Sequence, residues 1–343
     1  LRKQQLRNTV LVTGGAGYIG AHVCKALAGR GFNPLSYDNL CSGNKSHVLW
    51  GPLEIGDVRD QERLDEVIEL HRPEAIMHFA AHIQVGESVE NPLKYYDNNV
   101  FGSFCLLNTA RKRNIRQMVF SSTAAVYGIP DSDVISEDHP LRPVNPYGHT
   151  KLAMENMIRD YAAAYNINFA ILRYFNAAGA DIDGEIGSSY KVDTHIIPLL
   201  MSIASGDKKE INIFGTDYAS PDGTAVRDYI HVQDLAEAHV LSLLHIRGHN
   251  TRLTLNIGTG EGHSVQDVVN MARSITRHPI PVRSSPRRNG DPPILVADAA
   301  RARSLLNWKP VHSDLHTIIS TAWKWQRKKM GLALESQEFR RAS

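Results

Sequence analysis

Thr9-Val10-Leu11-Val12-Thr13-Gly14-Gly15-Ala16-Gly17-Tyr18-Ile19-Gly20 is the segment from which the rest of this chain can be read. Five residues suited to a buried strand run straight into a cluster of glycines. A helical stretch follows, around Ala21 to Gly29. The glycines satisfy two spacings at once, GxxGxxG (Gly14, Gly17, Gly20) and GxGxxG (Gly15, Gly17, Gly20). They permit a tight turn and a close approach of backbone to a pyrophosphate. The helix N-terminus adds unpaired N–H groups and the positive end of its dipole. A glycine triplet alone is a weak signal; the strand before it and the helix after it supply the context.

Asp38 ends the next strand-like run, Pro34 to Tyr37. A carboxylate there accepts hydrogen bonds from ribose hydroxyls and repels a 2′-phosphate, which favours NAD over NADP. No arginine lies between Asp38 and Gly51; Lys45 is the nearby cation. Asp57, after the third strand candidate, either meets the adenine edge or caps the following helix.

Outward from this unit, apolar runs alternate with helical patterns. Strand candidates are Leu53 to Ile55, Ala75 to Phe79, Gln117 to Ser121 and Phe169 to Tyr174. Helical patterns fall near 60–71, 92–113 and 146–165. Such alternation predicts an α/β fold with a doubly wound parallel sheet, and ligands at the edge where the strands end. Beyond about residue 176 the pattern becomes irregular. Residues 177–195 and 214–227 read as loops, Asp234 to Ile246 as an amphipathic helix, and Leu253 to Gly258 as a strand rejoining the sheet. The proline-rich final region suits a small capping lobe.

Ser121-Ser122-Thr123 closes a strand, and Tyr147-Gly148-His149-Thr150-Lys151 opens a helix. The Tyr-x-x-x-Lys spacing puts both side chains on one helix face, a turn apart. Free tyrosine, with a pKa of about 10, is a poor base at neutral pH. A neighbouring ammonium and a positive nicotinamide ring both favour its phenolate, so Tyr147 becomes a plausible acid–base group. Thr123 could hydrogen-bond the same substrate oxygen.

Bulk composition sets the outer limits. The 343 residues are 42% apolar and 22% charged, ordinary globular proportions. A formal net charge of +2 gives no case for nucleic acid or an anionic membrane. Arg111-Lys112-Arg113 and Arg327-Lys328-Lys329 read as solvated helix faces. Cys24, Cys41 and Cys105 form no CxxC and no disulfide framework, which fits reduced thiols and a cytoplasmic location. No apolar run is long enough for a membrane helix. The polar Leu1 to Asn8 reads as a tail rather than a secretory signal. No metal-ligand spacing stands out.

These motifs together resemble the extended short-chain dehydrogenases, and among them the UDP-glucose (UDP-galactose) 4-epimerases, over about residues 9–325. The early motifs mark only the superfamily. Asp222-Gly223-Thr224-Ala225-Val226-Arg227-Asp228-Tyr229-Ile230-His231 and Arg288-Asn289-Gly290-Asp291 are far more specific. The resemblance implies a Rossmann domain over 8–176, rejoined at about 228–258, with 177–227 and 259–325 forming a substrate lobe. It implies NAD contacts from Gly14, Gly17, Tyr18, Ile19, Gly20, Asp38, Asn39, Leu40, Asp57, Val58, Phe79, Ala80, Ala81, Asn98, Tyr147, Lys151 and Phe175. Ile83 departs from a lysine that some members use near the cofactor.

On the substrate side the resemblance assigns Arg227 and Arg288 to the nucleotide diphosphate, where guanidinium offers fixed donors and permanent charge. It assigns Asp291 to the uridine ribose. Asn176, Phe214 and Tyr229 match substrate-lobe positions; His195, Ile196 and Asn212 align there with side chains that differ from some members. It implies removal of the 4-hydroxyl proton by Tyr147, hydride passage from C4 to NAD, rotation of a 4-keto sugar, and return to the opposite face. Thr123 is followed by Ala124-Ala125, where related dehydratases carry Asp-Glu and decarboxylases a Glu, which argues against both reactions. Leu295 falls where a Tyr restricts close relatives to UDP-hexoses. UDP-glucose and UDP-galactose come first, with UDP-N-acetylhexosamines or a UDP-pentose as alternatives. A homodimer through the helices near 92–113 and 146–165 is also implied. The rival from another class is a nucleotide sensor without catalysis, which an intact Thr123, Tyr147 and Lys151 argue against.

Overall fold

The computed structural model describes residues 8–189, 194–288 and 291–331. The reading of the N-terminal tail thus lies outside the described residues apart from Asn8. So do residues 190–193 of the 177–195 loop, and Asn289 and Gly290 of the Arg288–Asp291 motif.

Seven strands build one sheet: β1 (Thr9–Thr13), β2 (Asn33–Asp38), β3 (Leu53–Ile55), β4 (Ala75–His78), β5 (Gln117–Thr123), β7 (Asn168–Tyr174) and β11 (Arg252–Ile257). Between β5 and β7 lies a short strand, β6 (Val134–Ile135), that belongs to a second sheet. The main order is β11-β7-β5-β4-β1-β2-β3, and every pairing in it is parallel. The order reverses between β1 and β4, and that switch opens a crevice at the strand C-termini. All five residues of β1 are buried, because helices cover both faces of a parallel sheet. Val10 and Val12 pack with α1 (Tyr18–Gly29) on one face. Leu11 packs on the other with α2 (Gln61–His71).

Between β4 and β5 the chain passes through α3 (Val85–Glu90), α4 (Pro92–Tyr95), a π-helical turn at Tyr96–Phe101, and α5 (Gly102–Lys112). The reading of 92–113 as one helix holds, with that π turn inside it. α6 (Pro146–Tyr165) covers the same face as α2 and α5.

The second half supplies β8 (Asn176–Ala178), α7 (Ile196–Ala204), β9 (Ile211–Phe214), β10 (Val226–His231), α8 (Val232–His249), β12 (Gly262–Ser264), α9 (Val265–Thr276), β13 (Val282–Ser285), β14 (Ile294–Ala297), α10 (Ala300–Leu306) and α11 (Leu315–Lys329). A second sheet runs β12-β10-β14-β6, with β8 also paired to β10; β13 and β9 form a third. Around these, α7, α9 and α11 enclose a separate apolar core. α8 is longer than the 234–246 pattern suggests. It is buried on most of its circumference, since it packs against α1, β7 and β5 as well as α10. The two basic runs end α5 and α11, where cations complement the helix dipole.

Candidate active site

The glycine turn is built by close approach. Gly14 has φ +74°, and a Cβ on it would lie 2.8 Å from the backbone nitrogen of Ala80, beyond β4. A Cβ on Gly20 would lie 2.2 Å from the carbonyl oxygen of Gly14. Any side chain at either position would push the turn off the sheet or off α1. No side chain caps α1. Its first-turn N–H groups, with Tyr18 and Ile19 half-buried beside them, therefore face the crevice. The Tyr18 hydroxyl donates to the Gly179 carbonyl at 2.7 Å, fastening this turn to the loop after β8.

Asp38 stands at the end of β2. Its carboxylate accepts from Ala16 N–H at 3.0 Å and Leu40 N–H at 2.8 Å. Burial pushes its pKa up against these two bonds. An ionised carboxylate offers about four acceptor positions, so capacity remains for a pair of ribose hydroxyls. Asn39 donates to Asp57 at 2.8 Å, and Arg59 grips the same carboxylate and holds its pKa below the ordinary range. The cap of α2 is Asp60, which accepts from Arg63 N–H, so the capping alternative for Asp57 does not hold. Val58 is buried against Gly102 in the core. Phe79, Ala80 and Ala81 leave β4 half-buried along the crevice, and Ile83 after them carries no donor. Leu40 takes a left-handed φ of 59°, turning the chain back over the glycine loop.

β5 ends at Thr123, whose hydroxyl accepts from Ala125 N–H at 3.1 Å and so keeps its own proton to donate. α6 begins beside it. Asn145 caps the helix by accepting from Gly148 N–H, and Pro146 occupies its first position. A Cβ on Gly148 would lie 2.7 Å from the Ala125 carbonyl oxygen, so glycine lets the helix start against the end of β5. Tyr147 and Lys151 are both buried. The Lys151 ammonium donates to the Ser121 carbonyl at 2.8 Å and lies 5.0 Å from the Phe120 ring centre. Burial pulls its pKa down to about 7, and the Glu155 charge opposes that fall. The proposed pair is thus seated on the strand that carries Thr123, at the same sheet edge as the glycine turn.

The substrate candidates fall into two groups. On β10, Arg227 is paired with Asp291 and also donates to the Val226 carbonyl at 2.7 Å. Leu295 of β14 lies opposite Arg227 in register and packs against the apolar cluster that includes Ala124, Tyr127 and Phe175. On β9, Phe214 carries the Arg288 guanidinium 4.0 Å from its ring centre, with Asn212 exposed on the same strand. His195 and Ile196 open α7. Asn176 spends its amide on the Asp228 carbonyl at 3.0 Å, and Tyr229 is buried in the apolar core formed with α7, α9 and α11.

Several residues that hold this site were not among the sequence candidates. Asn99, in the π turn, accepts from His82 N–H at 2.8 Å and donates to the His82 carbonyl at 3.1 Å and to Thr150 at 3.2 Å. It thereby ties the loop after β4 to α6, while Asn98, its neighbour, donates to it at 3.0 Å. Asp228 accepts from Thr259 N–H and hydroxyl, Gly260 N–H and Ala297 N–H. Arg173 and Glu155 form a buried ion pair behind Lys151. For Arg173 the signal was present: a charge inside an otherwise apolar strand is almost never buried unpaired. Among the described residues, Asp181, Asp183 and Glu185 are close enough to share a metal ion, but the Lys25 ammonium sits among them at 2.6–2.9 Å.

A family model for the NAD dependent epimerase/dehydratase family matches residues 10–258. The chain is 47% identical over 322 residues to a UDP-glucose 4-epimerase of Rhizobium meliloti, covering 94% of this chain and 98% of that protein. Its fold superposes with TM-score 0.90 on a UDP-glucose 4-epimerase from Brucella ovis in complex with NAD, at 49% identity over 92% of this chain and 97% of that one. The corresponding enzyme of Bifidobacterium longum, in complex with NAD+ and UDP, gives 0.88 at 37% identity over 94% and 99%. With a match that spans the glycine turn, the Tyr147–Lys151 helix and the rejoining strand β11, the chain belongs to the NAD dependent epimerase/dehydratase family.

Proposed function

We propose that this protein is an isomerase, an NAD-dependent UDP-sugar 4-epimerase that interconverts UDP-glucose and UDP-galactose. The observation that carries this reading is the seating of α6. Lys151 bonds the Ser121 carbonyl and Gly148 lies close against the Ala125 carbonyl, which seats the first turn of α6, the turn that carries Tyr147, on the end of β5.

NAD, when bound, supplies a reversible acceptor for the hydride on C4 of the sugar. Gly14, Gly17 and Gly20 would give its pyrophosphate room beside the N-terminus of α1, and Asp38 would hold the adenosine ribose. Tyr147 takes the 4-hydroxyl proton at its phenolic oxygen and returns it from the same atom. The Lys151 ammonium favours the phenolate form. Thr123 donates its hydroxyl proton to the same sugar oxygen. Arg227 is aimed by Asp291 before any diphosphate arrives, which lowers the ordering cost of binding. Arg288, held over the Phe214 ring, supplies the second cation for the diphosphate. Ala124 and Ala125 offer no carboxylate for elimination. Leu295, of intermediate size against Phe175, favours UDP-hexoses and leaves UDP-N-acetylhexosamines or a UDP-pentose as the second reading.

Two coarser proposals accompany this. A homodimer is supported by exposed apolar side chains along the α3–α6 surface: Val89, Leu93, Tyr96, Phe101, Phe104 and Tyr165. A cytoplasmic setting is supported by three free thiols, and a place in galactose metabolism by the UDP-galactose reading itself.

The test is conversion of UDP-galactose to UDP-glucose by the purified protein with no NAD added, beside UDP-N-acetylgalactosamine. Turnover of UDP-galactose with a retained cofactor is expected. Tyr147→Phe is expected to lose about 10²-fold or more in kcat while still releasing NAD on denaturation. No conversion of either sugar, even with NAD supplied, overturns the reading; near-normal turnover by Tyr147→Phe overturns the role of Tyr147.

A further inference from the structure

We propose that Glu155 is a positioning residue of this reaction: buried one turn beyond Lys151, it keeps the lysine protonated and fixes the helix that carries it against two strands.

The geometry is a double grip. Lys151 and Glu155 are four apart on α6 and so share a face. Lys151 donates to the Ser121 carbonyl, and the next residue, Ser122, donates its hydroxyl to Glu155 at 2.6 Å. One helix face therefore holds two successive residues of β5, just before Thr123. From β7, Arg173 donates to both Glu155 oxygens, at 2.9 and 2.7 Å. Arg159 adds a bond at 2.8 Å from the half-buried flank. Arg173 also donates to the Tyr127 hydroxyl at 3.0 Å, and Tyr127 donates to Asn256 of β11 at 2.6 Å. Glu155 is fully buried.

The charges around the lysine are few. Tyr147 and Glu155 face it from its own helix, and His78 from β4. His78 is neutral at working pH, since burial pulls its pKa down to about 3; Thr13 and Ser103 bond its two ring nitrogens. Tyr174 of β7 bonds the Ser121 hydroxyl. Of the other elements on α6, the π turn presents neutral Asn99 to Thr150, and α5 carries the buried Cys105 thiol. Glu87 of α3 pairs with Lys94 of α4 and accepts from the Tyr95 hydroxyl. Glu155 is thus the negative group nearest the lysine in this set, and Arg173 offsets part of its field. Replacing Glu155 by Gln leaves Arg173 unpaired and turns the local field positive. A buried ion pair adds little net stability over an apolar substitute, so a role in setting charge gives it a reason to be present.

The experiment is the pH dependence of kcat and KM for UDP-galactose in the holoenzyme and in Glu155→Gln, Glu155→Asp and the double variant Glu155→Gln/Arg173→Met. The alkaline limb of kcat, set by loss of the Lys151 proton, is expected to move to lower pH in Glu155→Gln by about one unit or more. Asp restores most of it, and the double variant lies between. KM and the NAD released on denaturation stay near wild type. A uniform loss of kcat with the limb in place, or identical limbs in the Gln and Asp variants, overturns the proposal. Should Glu155→Gln fail to fold, the double variant leaves no fully buried charge unpaired, since Arg159 reaches solvent, and an unmoved limb there overturns it equally. The inference rests on the epimerase reading. A wild-type enzyme inactive on UDP-galactose would refute that reading, whereas active variants with unmoved limbs would refute only the role of Glu155.

Discussion

At the residue scale, burying Lys151 costs the folded protein free energy for the sake of chemistry. Its pKa falls to about 7 from an ordinary 10.5. Between these values the unfolded chain binds a proton that the folded chain lacks, so this group makes stability rise with pH across that window. Below about pH 7 the lysine is charged in both states and its burial costs the most. Lys151→Met is therefore expected to abolish turnover and raise the unfolding midpoint by a few degrees at about pH 6, with the gain shrinking as pH rises from about 7 and largely gone by about pH 10. Thermal unfolding at both pH values checks it; a lower midpoint at low pH would contradict it.

At the scale of elements, the π turn at Tyr96–Phe101 is the feature with the clearest consequence. π turns occur mostly at functional sites, and this one turns both Asn98 and Asn99 inward. Asn99 holds the main chain of His82, which follows the Phe79-Ala80-Ala81 rim packed on Gly14. Asn99→Ala is expected to destabilise the fold by about 1–3 kcal/mol, because the half-buried His82 N–H and carbonyl lose their partners. It should also weaken retention of NAD. Urea unfolding and the NAD released on denaturation measure the two effects, and unchanged NAD content would show that the rim does not depend on this bond.

At the scale of the whole molecule, the α3–α6 surface is the part left incompletely covered. Leu93 is 77% exposed and Phe101 stacks on Phe104 in the open. A patch of this kind is usual for a protein–protein contact and unusual for a monomer's free surface. Light scattering is expected to give twice the chain mass of 38.1 kDa, and Phe104→Glu to return it to that mass. A wild-type monomer would contradict the dimer.

Local chemistry alone determined much of this protein. The strand–glycine–helix unit, Asp38 at the end of β2, and Tyr147 with Lys151 on one helix face could be read directly from the residues. Each depends on spacing within a few residues, on backbone geometry that only glycine permits, or on helical periodicity. The family resemblance added the arginines and Asp291, which no local pattern distinguishes from surface charges. What only the tertiary structure decided involves partners far apart in the chain. Asp57 accepts from Asn39, 18 residues earlier, rather than capping α2. Asn99 reaches back to His82 and on to Thr150, and Asp228 gathers Thr259, Gly260 and Ala297. Glu155 meets Arg173 across the face of β5. The physical reason is the same throughout: a buried polar group must find a partner when water is removed. Which partner it finds is set by the packing of strands and helices onto one another, and that packing does not exist until the whole sheet has formed.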